Sequence, residues 1–202
     1  MIVISMRAPF GASCCRVPQR MLPSQLANVG GQMLVTKRLR LREWRKADKP
    51  LLAEIHSDPE VMRFLGGVKT FDETSEVIDL IGGMFRAGEP SLWAAERIED
   101  EKLIGWIGLH QLGPEYPFGP ALEAAWRLGR SFWGQGYAIE GVGAALNYAF
   151  DVLDAPRVFA FTALANQRSE RLMLRLGMKK VEGGDFAHPD FSATDPQSIH
   201  VL

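Results

Sequence analysis

Residues 122–150 constrain the chain more than any other stretch. Leu122, Ala124, Trp126 and Leu128 fall on one side of an alternating run, with Glu123, Ala125 and Arg127 on the other. That is the period of a strand. Phe132-Trp133-Gly134-Gln135-Gly136-Tyr137-Ala138 follows, with two glycines flanking one residue. Ile139, Val142, Leu146 and Phe150 then recur along one face of a helix. Strand, glycine turn and helix together leave backbone N–H groups free at the helix start, at the positive end of its dipole. Such a place holds phosphate or pyrophosphate. Glycine matters there because a Cβ would keep the anion away from the backbone. The plainer alternative is that the two glycines only end a strand and begin a helix.

The chain has 202 residues, enough for one domain with a full core. A net charge of −1 implies no general polyanion-binding surface, so no nucleic-acid partner is expected. No apolar run approaches the roughly 20 residues that cross a bilayer, so no membrane partner is expected either. Residues 1–32 differ from the rest. They carry Arg7, Arg16 and Arg20, no acidic residue, both cysteines (Cys14 and Cys15) and no sustained periodicity. A targeting peptide would suit that composition, but no clear apolar segment or cleavage site accompanies it. We expect a disordered extension, or a start set too early, since Met33-Leu34-Val35-Thr36 looks like a natural beginning. The domain is then 33–202. Its lack of cysteine fits a reducing cytoplasm. Nothing separates a monomer from a homodimer, and no set of metal ligands stands out.

Leu39 and Leu41 alternate with Arg38, Arg40 and Arg42, as in a strand with one solvated face. A short helix spans 47–55, and Asp58-Pro59-Glu60 caps a second. Thr70 and Glu73 form a capping box for a third helix, to about Arg86, weakened by Gly82 and Gly83. Residues 91–98 and 102–112 suggest an antiparallel hairpin. The stretch 113–120 is a loop. After the glycine turn and its helix come a strand at 157–163 and a helix capped by Asn166 and ended by Gly177. A short strand at 178–181, a loop at 183–198 and the start of a last strand at 199–202 complete the chain. Only the central strand–helix–strand reads as a parallel crossover. The fold class is therefore mixed α/β (α+β), with helices on both faces of a largely antiparallel sheet.

The glycine turn fits neither common nucleotide motif. A P-loop string is absent, and Ile139 stands where a dinucleotide fingerprint needs its third glycine.

Several segments together resemble a known family. They are Trp133-Gly134-Gln135-Gly136-Tyr137-Ala138, and Ala165-Asn166-Gln167-Arg168-Ser169 continuing to Leu176-Gly177-Met178. To these add Leu34-Val35-Thr36-x-Arg38-Leu39 and Leu122-Glu123-x-x-Trp126-Arg127-Leu128. Taken in chain order they resemble the GNAT acetyltransferases, in the branch typified by the ribosomal-protein N-terminal acetyltransferases (RimJ/RimL-like). Trp133 stands where the superfamily often has Gln or Arg, a replacement familiar in this branch.

The resemblance implies acetyl transfer from acetyl-coenzyme A to a primary amine, by direct attack in a ternary complex. The acceptor would be a protein N-terminus or a small molecule. It also implies that the backbone at Gly134, Gln135, Gly136, Tyr137 and Ala138 holds the pyrophosphate, with the pantetheine arm along the Leu128 end of its strand. A strand edge satisfies an extended ligand on both sides. Such transfer needs a base for the amine, a donor for the carbonyl oxygen and a proton for the thiolate. By resemblance Glu123 is the base, directly or through water. Ser169 meets the thiolate, Asn166 contacts pantetheine, and the N–H of Leu128 or Gly129 polarises the carbonyl. Each has a structural alternative: a surface glutamate, a first-turn serine, a plain N-cap. Arg168, Arg171 and Arg175 form a basic stripe that we read as a solvated face, with the coenzyme 3′-phosphate as its other use. His56 and His110 read as structural, and Trp93, Trp106 and Trp126 as core. A non-catalytic acyl-coenzyme A-binding protein of the same fold is the main rival.

Overall fold

The computed structural model describes residues 2–7 and 32–188. Its strands are β1 (Ile2–Arg7), β2 (Leu34–Val35), β3 (Leu39–Arg42), β4 (Leu92–Arg97), β5 (Leu103–Leu112), β6 (Ala121–Leu128), β7 (Arg157–Thr162) and β8 (Lys179–Lys180). Its helices are α1 (Asp48–His56), α2 (Pro59–Met62), α3 (Phe71–Arg86), α4 (Tyr137–Asp151) and α5 (Gln167–Arg175). The strands make one sheet in the order β2-β3-β4-β5-β6-β7-β1-β8. Every neighbouring pair is antiparallel except β6 and β7. That parallel pair is joined by α4, as a crossover requires.

Two clusters hold the layers together. On one face Val142, Ala145, Leu146 and Ala149 of α4 pack on Leu39, Ile107, Leu109 and Ala124. On the other, Leu52, Ile78 and Ile81 of α1 and α3 pack on Ala94, Leu103 and Trp106. Gly141 lets α4 lie close to the sheet, since a Cβ there would collide with Ile107. The capping box at Thr70 and Glu73 is formed, and α3 runs unbroken through Gly82 and Gly83. A third, aromatic cluster of Tyr116, Phe118, Phe159 and Phe186 sits beside β7.

Two expectations need correction. Residues 2–7 are not a structureless extension: they form β1, antiparallel to both β7 and β8. The Ile-Val-Ile run supplies the strand, and the partner edge lies far along the chain. Residues 8–31, with the two cysteines, and the strand expected at 199–202 lie outside the described residues. The arginine face of β3 is also not simply solvated. Arg42 is buried, giving two hydrogen bonds to Asp48 at 2.7 and 2.9 Å and another to buried Glu96. Burial alone would lower its pKa, but the two carboxylates raise it.

Candidate active site

The glycine turn owes its shape to backbone angles that only glycine adopts freely. Gly134 and Gly136 have φ of 74° and 83°. Gly136 is the N-cap of α4 and carries no side-chain cap. Among the described residues, no hydrogen bond uses the N–H groups of Gly134, Gln135, Gly136, Tyr137 or Ala138. Open space lies where a Cβ of Gly134 would stand. Unpaired donors at the start of a fifteen-residue helix suit an anion. The turn thus fits a pyrophosphate.

Next to the turn, β6 and β7 separate. They pair only through Leu122–Val158 and Glu123–Phe159. Towards Leu128 the edge of β6 turns free groups into a gap. Gly129 N–H donates to the Ile104 carbonyl at 2.9 Å, on the β5 side, so it cannot polarise a carbonyl in the gap. Leu128 is opposite Gly105, the next pair along the ladder. Alternation in an antiparallel pair therefore turns its N–H and C=O away from β5 and into the gap. Of the two donors expected from sequence, only Leu128 remains. Trp133 caps the Leu128 carbonyl, its indole N–H donating at 2.8 Å.

Across the gap, Asn166 is the N-cap of α5. Its Oδ1 accepts from Ser169 N–H at 3.3 Å, and its Nδ2 donates to Thr162 Oγ1 at 2.9 Å and Ser169 Oγ at 3.2 Å. The Asn166 side chain is thus committed to its own helix and strand. Ser169 Oγ acts as acceptor there, which leaves its proton free to donate elsewhere. Arg168 lies over the Trp133 ring at 4.0 Å, tying the start of α5 to the glycine turn. Arg171 and Arg175 are exposed.

Glu123 stands at the closed end of the gap, on the face of the sheet that carries α1 and α3. Its side chain is 14% exposed, and burial raises its pKa above the ordinary carboxylate value. His110 lies opposite it on β5, with Nδ1 3.7 Å from Glu123 Oε2. The sequence alone marks His110 as structural and leaves this pairing unseen. Pairing two strands outward from a loop at 113–120 already sets position 110 against 123, which is the signal that could have found it. Glu123 does not meet Arg127. That guanidinium donates instead to His56 Nε2 at 2.8 Å, and His56 Nδ1 meets Thr74 Oγ1 at 3.1 Å. Burial and the charges of Arg127 and Lys69 push His56 down to about 3, so the ring is neutral and can accept from Arg127. The pKa of Arg127 is itself lowered by burial, to about 10.

Glu123 and the glycine turn thus mark the two ends of one gap, with Ser169 across it near the open end. A cavity of about 770 Å³ lies elsewhere, at the N-terminal ends of β6 and β7, among Gln111, Phe118, Leu122 and Arg157. An extended ligand on strand edges needs no such chamber.

Residues 38–179 match the family model described as the acetyltransferase (GNAT) domain. The chain belongs to the GNAT acetyltransferases. It is 27% identical over 150 residues to the uncharacterized N-acetyltransferase YoaA of Bacillus subtilis (strain 168), covering 73% of this chain and 83% of that one. A GNAT-family acetyltransferase crystal structure from Bacillus anthracis is 26% identical, with a TM-score of 0.65, over 77% of this chain and 87% of that one. The spermidine N-acetyltransferase of Vibrio cholerae, solved with coenzyme A and spermine, shares the fold at 20% identity and a TM-score of 0.56. That match covers 69% and 79% of the two chains. The protein is an acyltransferase of GNAT fold, and members of this family use acetyl-coenzyme A.

Proposed function

We propose that this GNAT protein moves the acetyl group of acetyl-coenzyme A to a primary amine by direct attack in a ternary complex. The observation that carries the reading is Glu123, a shielded carboxylate with raised pKa at the point where β6 and β7 part. An ammonium has no lone pair, so the acceptor must lose a proton before it attacks. A carboxylate with raised pKa is the stronger base for that proton. His110 beside it can pass the proton outward. Leu128 N–H, which faces away from β5, stabilises the oxyanion as the amine adds to the thioester carbonyl. Ser169 Oγ–H donates a hydrogen bond to the departing thiolate, and the thiolate takes up the second proton that the amine nitrogen loses as the tetrahedral adduct collapses. The free N–H groups of the glycine turn hold the pyrophosphate.

Thr36-x-Arg38-Leu39 and the Trp133 turn favour the RimJ/RimL-like branch, and so a protein α-amino group as acceptor. A small amine is the second class. The cysteine-free sequence from residue 33 onward favours the cytoplasm. Among the described residues no helix is long and apolar enough to cross a membrane.

Thiol release from acetyl-coenzyme A, measured on the full chain with a panel of amines and N-terminal peptides, tests the reading. Amine-dependent release is expected, and Glu123→Gln should lower kcat roughly 100-fold or more. Coenzyme A binding without release from any amine would favour the non-catalytic binding protein. An unchanged kcat in Glu123→Gln would remove the base from this account.

A further inference from the structure

Glu140 lies in the first turn of α4, beside the donors that would receive the coenzyme's pyrophosphate. A carboxylate there would repel that anion unless its charge is met. Three donors converge on it. Thr36 Oγ1 and Arg38 N–H both reach Oε1 at 2.7 Å, and Arg38 Nε reaches Oε2 at 2.6 Å. The same guanidinium continues to the turn itself, where Arg38 Nη1 donates to the Gln135 carbonyl at 2.9 Å. It lies 4.5 Å over the Tyr137 ring. Its Nη2 is 3.2 Å from where a Cβ on Gly136 would stand. One side chain just before β3 thus meets Gln135 and Tyr137, on either side of Gly136, and neutralises the acid beside them.

We propose that Arg38 is a positioning residue for coenzyme A. It fixes the carbonyl of Gln135, so that the following N–H groups face outward, and it cancels Glu140 so that a pyrophosphate can approach. The arrangement needs a planar fork. Lysine carries the charge but cannot hold Glu140 and Gln135 at fixed angles together. The inference rests on the acetyltransferase reading of the glycine turn.

Calorimetric titration of the full chain with coenzyme A, beside steady-state kinetics, tests it. Arg38→Met should weaken coenzyme A binding about tenfold or more, the loss that follows a charge-assisted hydrogen bond. The KM for acetyl-coenzyme A should rise by a like factor, while kcat and the acceptor KM stay put. Adding Glu140→Gln to Arg38→Met should restore part of the affinity, because the uncompensated carboxylate goes with it. A residue that merely braced the fold would show no such rescue. Arg38→Lys should fall between the parent and Arg38→Met, and it decides the case if Arg38→Met does not fold. If the parent chain binds no coenzyme A, the acetyltransferase-site reading fails and the inference with it. If the parent binds and the Arg38 variants bind equally well, or the double variant shows no rescue, the inference alone is overturned.

Discussion

Glu123 and His56 titrate in opposite senses, and each leaves its own mark on stability. Burial raises the Glu123 carboxyl, so the folded chain holds its proton to higher pH than the unfolded chain does. Stability from this group therefore falls as pH rises through the window above the ordinary carboxylate value. Glu123→Gln, which costs activity, should leave the melting temperature at neutral pH unchanged or higher. His56 is displaced the other way, from 6.5 to about 3, by burial and then by Arg127 and Lys69. Between those values the unfolded chain binds a proton that the folded chain refuses. Stability should therefore fall as pH drops below 6.5, by at most about 1.4 kcal/mol per pH unit. His56→Gln keeps an acceptor for Arg127 and a donor for Thr74, and should flatten that part of the slope. Denaturant titrations between pH 4.5 and 7.5 check both signs, and an unchanged slope in His56→Gln would count against the neutral ring. None of this is visible from the residues alone. His56 shows no sequence sign of its partners, since Arg127 and Thr74 come from other elements.

At the scale of elements, what was legible followed local signals. The alternation at 122–128, the capping box at Thr70 and the N-caps at Asp58 and Asn166 each specify an element within a few residues. The structure has them all. Two elements with distant causes escaped. One is β1, six residues whose pairing partner begins at Arg157, so no nearby periodicity announces it. The other is the network at Arg42, which is buried because Asp48 and Glu96 come to meet it. The site divides the same way. The glycine turn was legible because a conformation and a chemistry share two residues. The Glu123–His110 pair depends on strand register, and Arg38 depends on β3 lying beside α4. A chain beginning at Met33 tests the weight of β1. Among the described residues β8 pairs only with β1, so removing residues 1–32 leaves β8 without a partner and one edge of β7 bare. We expect a lower melting temperature and faster proteolysis near Lys179, and equal stability of the two chains would show that β1 contributes nothing.

Across the whole molecule, two half-sheets meet at a narrow junction. β2 to β6 form one run of antiparallel pairs, β7, β1 and β8 form another, and two residue pairs join them directly. The core under α4 spans both, since Val142 and Leu146 share a cluster with Leu39 on one side and Val158 on the other. So narrow a junction bears on cooperativity. Among the described residues, amides that face the gap, Leu128 on one strand and Phe161 on the other, have no sheet partner there to slow their exchange with solvent. They should exchange with deuterium faster than those of β4 and β5, which are paired on both sides. Coenzyme A lying in the gap would act as a missing strand and close the two runs into one unit. Protection should then rise at those amides and also at residues it never touches in β1 and β8, with unfolding becoming a single event. The free protein should, by the same logic, open first at this junction, with α4 and its shared core holding the two runs together.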